Sequence, residues 1–213
     1  MSKDFSFQKR AASYDKGFEG RMSQKFYSLV LRTVEFSDGC SVLDVGCGTG
    51  ALLKRMAAQN QIICFGIDAE AKMVEVAQKN YPEMDIRQSR SEDMPFDDQA
   101  FDIVTVCMAY HHFADKEGFA SEVARTLKPG GALYIADPRF PAPVRSILNG
   151  IFRLVNVAGE FRSPEEIAKR FSGYSFALDS VAVDGYAQVV KLRKEKEKEK
   201  EKEKEKEVEK CSI

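Results

Sequence analysis

Three glycines and a few acids hold most of the chemistry in this sequence. The segment V-L-D-V-G-C-G-T-G-A (42–51) puts Gly46, Gly48 and Gly50 between an apolar run and a helical pattern. Glycines there let the backbone come close to a ligand. Gly46, Gly48 and Ala51 also satisfy the G-x-G-x-x-G/A spacing, and Asp68 follows about 20 residues on, as a dinucleotide site requires. Taken alone, the loop admits a dinucleotide, a different nucleoside ligand, or a tight turn with no ligand. Asp44, two residues before the first glycine, weighs on the choice. A carboxylate beside the loop repels a pyrophosphate and attracts a cation. S-adenosylmethionine brings an α-ammonium and a sulfonium, so the loop favours it over a dinucleotide. The second cluster is Tyr110, His111 and His112, which holds both histidines of the chain. An imidazole there could take a proton from a phenol, amine or thiol near neutral pH.

These residues need elements to place them. Phe26, Leu29, Val30 and Val34 recur at helical spacing over 23–36. Asp38-Gly39 then makes a turn before a short strand at 41–45. A helix over 51–59, a strand over 62–68 and a helix over 70–80 follow, with Pro82 as the stop. A weak strand at 84–88 leads through a polar loop to 101–109, the longest apolar run and the expected central strand. The pattern then gives a helix over 116–127, a K-P-G-G terminator at 128–131 and a strand over 132–137. Near-continuous apolar strands between helices predict an α/β fold, Rossmann-like and doubly wound, with a mostly parallel sheet covered on both faces. Beyond 138 come an apolar helix near 144–157 and a helix capped by Ser163 with Pro164 at its first position. Two strands near 176–183 and 186–192, joined at Asp184-Gly185, predict a C-terminal antiparallel hairpin.

Composition narrows the field. The chain has 213 residues, 44% of them hydrophobic, enough for one domain with a sizeable core. With 32 basic and 33 acidic residues, no global field argues for nucleic acid or an anionic membrane. No apolar run is long enough to span a bilayer, and the N-terminus lacks a signal-peptide core, so a cytoplasmic location is expected. Five scattered cysteines without a C-x-x-C pair fit reduced thiols, with no metal site. From Lys194 to Glu207 the chain alternates Lys and Glu strictly. The expected organisation is a single domain over 1–193: a helical cap (1–37), a cofactor-binding core (40–137) and acceptor-side helices with the hairpin (138–193). Residues 194–213 then form a solvated low-complexity tail. Its K-C-S-I end has the wrong spacing for a prenylation box.

The glycine segment resembles motif I of the class I S-adenosylmethionine-dependent methyltransferases. Further matches follow in order: G-I-D-A (66–69), E-D-M-P-F (92–96), F-D-I-V (101–104) and L-K-P-G-G (127–131). An upstream F-x-x-x-A-x-x-Y-D (Phe7, Ala11, Tyr14, Asp15) is similar to the ubiquinone- and menaquinone-biosynthesis methyltransferases. The resemblance implies a cofactor site. Asp44, Gly46, Cys47 and Gly48 would surround the methionine part. Asp68, beside Ala69, would accept from both ribose hydroxyls, and Met73 would lie on the adenine face. Asp93 would accept from the adenine amine with Met94 beside it, and Cys107 and Met108 would sit near the sulfonium. The acceptor would be a small molecule, with Tyr14, Tyr110, His111, Arg139 and the apolar helix as candidate neighbours. That helix reads equally as core packing or as a homodimer face.

Methyl transfer from a sulfonium needs a base only if the acceptor loses a proton, so His111, His112 and Tyr110 are candidates and nothing more. Two other classes stay open. A nicotinamide-dependent oxidoreductase is permitted by the glycine spacing but opposed by Asp44. A non-catalytic module that keeps the fold is opposed by the intact Asp44, Asp68 and Asp93 set. A nucleic-acid substrate is disfavoured, because no basic patch is visible and C-M-A-Y-H-H stands where an N/D-P-P-Y/F sequence would.

Overall fold

Seven strands build one sheet: β1 (Ser41–Val45), β2 (Ile63–Asp68), β3 (Asp85–Gln88), β4 (Phe101–Cys107), β5 (Leu127–Pro138), β6 (Phe176–Asp184) and β7 (Ala187–Lys194). Their order is β3-β2-β1-β4-β5-β7-β6 in a computed structural model that describes residues 18–155 and 159–196. The first five strands run parallel, and β7 returns antiparallel between β5 and β6. This is the expected Rossmann-like doubly wound sheet with its hairpin. The order reverses at β1, which pairs with β2 on one side and β4 on the other. A crevice outside the strand ends opens at such a switch point.

The strands bury both faces, which is why they read as continuous apolar runs. On one face Val42, Ile103 and Tyr134 pack with Phe26 of α1 (Phe18–Thr33), Leu52 and Met56 of α2 (Ala51–Ala57), and Val74 and Ala77 of α3 (Ala71–Asn80). On the other, Leu43, Val104, Val106 and Ile135 meet Phe119 and Val123 of α4 (Lys116–Thr126). α5 (Ala142–Leu154) comes next, and then α6 (Pro164–Ser172), which sends Ile167 and Phe171 into that second layer. Ser163 caps α6, as expected, and the structure adds a full capping box with Glu166.

Four expectations need correcting. The K-P-G-G segment does not end a helix; α4 stops at Thr126 and β5 begins at Leu127. Leu127 pairs with Phe101, the register then shifts, and Ile103 pairs with Ala132. The four residues between are an irregularity within the strand, with Gly130 at φ 80°. β4 ends at Cys107 rather than 109, because Met108 takes φ 57° and turns the chain. The apolar helix buries none of its residues fully: Val144, Ile147 and Ile151 are exposed, so core packing does not explain its pattern. The tail boundary set after residue 193 falls inside β7, where Lys194 pairs with Phe176. The upstream match with Tyr14, and the rest of the Lys/Glu tail, lie outside the described residues.

Lys194 gives a direct test. Its Nζ donates to the carbonyls of Ala124 (2.5 Å) and Leu127 (2.7 Å), and the Glu195 N–H donates to the Ser175 carbonyl. A chain cut after Arg193 should therefore melt several degrees below one cut after Lys196. The lost bonds amount to roughly 1–3 kcal/mol, and each kcal/mol moves a domain of this size by about 2–4 °C. Equal melting temperatures by calorimetry would contradict the docking of Lys194.

Candidate cofactor and acceptor site

The glycine loop is pinned between two strand ends. The N–H groups of Gly46 and Cys47 both donate to the Ile67 carbonyl, at 2.8 and 3.0 Å. Gly46 has φ 75°, and a Cβ there would lie 2.6 Å from the Ala109 Cβ. The β1 exit is thus pressed against the β4 exit, and only a residue without a side chain fits. Gly48, at φ 55°, has the opposite surroundings: among the described residues a Cβ on it would meet nothing within 4 Å. Its face of the loop is open to a ligand.

Two acids flank this opening. Asp44 is buried at the end of β1, and its Oδ1 accepts from the Thr105 hydroxyl at 2.7 Å. Its other oxygen takes no donor among the described residues. Burial pushes the Asp44 carboxyl up to about 7; the Thr105 bond opposes this and the Asp68 charge adds to it. Asp68 closes β2, with Oδ2 accepting from the Gly48 N–H (2.8 Å) and Oδ1 from the Glu70 N–H (2.9 Å). Burial raises its carboxyl too, and the two backbone bonds partly hold it down. Among the described residues neither acid is paired with a cation. Cys47 lies between them as a buried thiol, pushed well up by burial, then by Asp68 and Asp44. A carboxylate has about four lone-pair sites, so Asp68 can hold the loop and still accept from two hydroxyls.

The remaining predicted residues fall into two groups. Met73 is buried in the first turn of α3 after the exposed Ala69, and Asp93 is exposed in the loop before β4. Hydrogen bonds tie their segments to the end of β2: the Ala69 carbonyl accepts from Gln88, the Ser89 N–H donates to the Asp68 carbonyl, and the Ser89 hydroxyl donates to the Asp93 carbonyl. Met94 turns inward instead. Its N–H donates to Glu122, its carbonyl accepts from Arg125, and its sulfur accepts from Thr126. Cys107 ends β4 with its side chain in the core layer of α1 and α2. Burial pushes its thiol well up, and Asp44 and Asp137 on either side add to the effect.

Beyond Met108 the chain makes a 3-10 turn over Tyr110–His112. Tyr110 is sealed in the core with no partner for its hydroxyl among the described residues, and burial pushes the phenol up to about 12. His112 is exposed and stacks on His111 with ring centroids 4.0 Å apart. His111 is buried, and its Nδ1 lies 2.8 Å from Oδ1 of Asp137. Phe161 packs against the His111 ring at 5.3 Å, with Phe140 and Phe152 behind it. Arg139 is exposed just past the strand. Asp137 is the residue that sequence reasoning missed. Its signal was visible, because A-L-Y-I-A-D ends an apolar strand on an acid just as V-L-D-V and G-I-D do.

A parallel sheet that switches at β1, with a glycine loop and acids at its strand ends, defines a nucleoside-cofactor fold of Rossmann type. Residues 43–135 match the family described as methyltransferase domain. An uncharacterized methyltransferase of Synechocystis sp. is 32% identical over 155 residues, covering 70% of this chain and 71% of the relative. The chain belongs to this methyltransferase family. It is also 33% identical to a demethylmenaquinone methyltransferase of Chlorobaculum tepidum over 138 residues, 65% of this chain and 54% of the relative. The chain thus spans about half the length of the demethylmenaquinone methyltransferases it matches. In fold it is similar to the YcgJ protein of Bacillus subtilis, with TM-score 0.69 and 23% identity over 82% of this chain and 99% of that one. No helix among the described residues is long and apolar enough to cross a membrane.

Proposed function

We propose that this protein transfers a methyl group from S-adenosylmethionine to a small-molecule acceptor, in the cytoplasm. The carrying observation is the pair Asp44 and Asp68 beside an open glycine face, with no cation opposite them among the described residues. That arrangement suits a ligand with a positive charge and a ribose, and it opposes the pyrophosphate of a dinucleotide. The family membership points the same way, and the names of the relatives support a small acceptor. The buried, unpaired cysteines 40, 47, 64 and 107 fit a reducing compartment.

S-adenosylmethionine would supply the methyl group as an electrophile and depart as a neutral thioether. Asp44 would hold its ammonium, with Gly46, Cys47 and Gly48 around the methionine chain. Asp68 would take the ribose, while Met73, Ala69 and Asp93 border the adenine. Met94 would shape that wall from behind, and Cys107 would back the reacting end. The Phe140–Phe161–Phe152 cluster would shield the acceptor from water, which leaves alignment as the main contribution of the protein.

Calorimetry should show S-adenosylhomocysteine binding in the micromolar range, about −8 kcal/mol, and no measurable heat with NAD. Tight NAD binding without a response to S-adenosylhomocysteine would sink this reading. Asp68→Ala should weaken that binding by roughly 2–4 kcal/mol, since it strips a charged acceptor from the hydroxyls and from the Gly48 N–H together. Unchanged affinity on titration would remove Asp68 from the ribose site.

A further inference from the structure

We infer that His111 is the proton acceptor of the reaction, working through Nε2, and that Asp137 is the positioning residue that orients it. This rests on the methyltransferase reading and adds to it the class of acceptor: a group that gives up a proton as it is methylated.

The geometry begins with the hydrogen bond. A carboxylate accepts and does not donate, so in this pairing the imidazole nitrogen 2.8 Å from Asp137 is the one that carries the hydrogen. That fixes the neutral ring as the Nδ1–H tautomer and leaves the Nε2 lone pair free. No side-chain hydrogen bond to Nε2 forms among the described residues, and the bond of the ring is made through Nδ1. Both partners are otherwise enclosed, His111 at 6% and Asp137 at 4% exposure. The pair is held from three elements. The 3-10 turn carries His111, the end of β5 carries Asp137, and the segment before α6 returns so that the Glu160 N–H donates to the His111 carbonyl at 2.9 Å. On the far side of β5, Gln188 of β7 is paired with Asp137 and donates to the Arg162 carbonyl, which ties that segment to the sheet.

The turn that carries His111 also adjoins the glycine loop. Ala109, two residues before His111, is the residue pressed against Gly46. Cys107 ends β4, which lies in the sheet between β1, carrying the proposed ammonium holder Asp44, and β5, carrying Asp137. The other ionisable neighbours do not compete for the role. His112 is stacked outside, and Glu160 is paired with Arg162 at 2.6 Å. Lys116 donates to the Phe113 carbonyl, and Tyr110 is sealed away from any acceptor.

In the step itself the acceptor lone pair forms the new bond to carbon, and the sulfur keeps the pair from the bond that breaks. The acceptor proton passes to Nε2, and the resulting imidazolium is neutralised by the Asp137 carboxylate until water removes the proton. A tertiary amine or thioether acceptor has no proton to give and would leave the dyad without work.

The chain has two histidines, so a nitrogen-15 imidazole spectrum is simple, and His112→Gln assigns it. The expected result is His111 as Nδ1–H, switching to Nε2–H in Asp137→Asn, where the amide donates to Nδ1. Catechol, thiophenol and benzylamine serve as proton-bearing probes and thioanisole as the proton-free one, with release of S-adenosylhomocysteine as readout. Turnover should be confined to the first three and should fall on the order of 10²- to 10⁴-fold in His111→Gln and Asp137→Asn at every pH. S-adenosylhomocysteine affinity should stay as in the unaltered protein. An Nε2–H ring in the unaltered protein overturns the proposal, whether or not a probe turns over. So does methylation of thioanisole as fast as catechol, or full activity in Asp137→Asn with its tautomer switched. Failure of every variant, and of the unaltered protein, to bind S-adenosylhomocysteine would instead overturn the cofactor reading.

Discussion

Replacing Asp44 with Asn is expected to raise the melting temperature of the ligand-free protein at pH 8 while weakening S-adenosylhomocysteine about 10- to 100-fold. Both effects come from one buried carboxyl. Its proton affinity is raised from 3.8 to about 7, chiefly by burial, with Asp68 adding to the shift and Thr105 opposing it. Between these values the folded chain binds more protons at this site than the unfolded one. The stabilisation linked to this group is therefore fully present below about pH 4 and is lost as pH climbs through about 7. At pH 8 the protein keeps an unpaired carboxylate under cover, and an isosteric amide removes that cost. The ligand feels the reverse. A charged hydrogen bond to an ammonium contributes about 1.5–3 kcal/mol, and Asn forfeits most of it. Affinity in the unaltered protein should also climb between pH 6 and pH 8, with proton release on binding. Scanning calorimetry and titration at both pH values check this. A variant that melts lower at pH 8, or that binds as tightly as its parent, would show that Asp44 is not a desolvated ligand.

Gly46→Ala should cost more than any other single methyl in the loop. The left-handed φ of 75° alone disfavours alanine by about 1–2 kcal/mol. The new methyl would also sit 2.6 Å from the Ala109 Cβ, a side-chain stub that cannot swing away. Relief requires the β1 and β4 exits to separate, and overpacking of this kind adds about 1–3 kcal/mol. The melting temperature should fall by roughly 5–15 °C, and S-adenosylhomocysteine binding should weaken at least tenfold as the opening is distorted. Gly48→Ala is the control. It has a similar φ but free space among the described residues, so the expected loss of stability is only about 1 kcal/mol. Equal melting of the two variants would mean the close approach at Gly46 is not rigid.

The two halves of the site differ in how openly the sequence announces them. Asp44, the glycines and Asp68 lie within one β1–loop–α2–β2 unit, where local pattern and local structure coincide. Asp137 depends on partners more than 25 residues away along the chain, His111 on one side and Gln188 on the other. Only the sheet order brings them together. The K-P-G-G segment looks like a terminator because glycine and proline usually are, but pairing with β4 absorbs it as an irregularity. Lys194 reads as tail because nothing in an alternating Lys/Glu run marks the one lysine whose ammonium reaches two carbonyls.

The return of β7 between β5 and β6 sets an order of assembly during synthesis. Once residues up to β5 have emerged, the parallel strands that form the glycine loop can pair, and β5 is an edge of their sheet that stays open until β7 arrives. Unpaired edges are the part of a nascent sheet most exposed to wrong partners. Asp137 lies on that edge and gains its neighbour Gln188 only after residue 188 leaves the ribosome. On the proposed function, a growing chain would be able to bind the cofactor before its acceptor side exists, and early ligand binding would steady the half that must wait for its last strands.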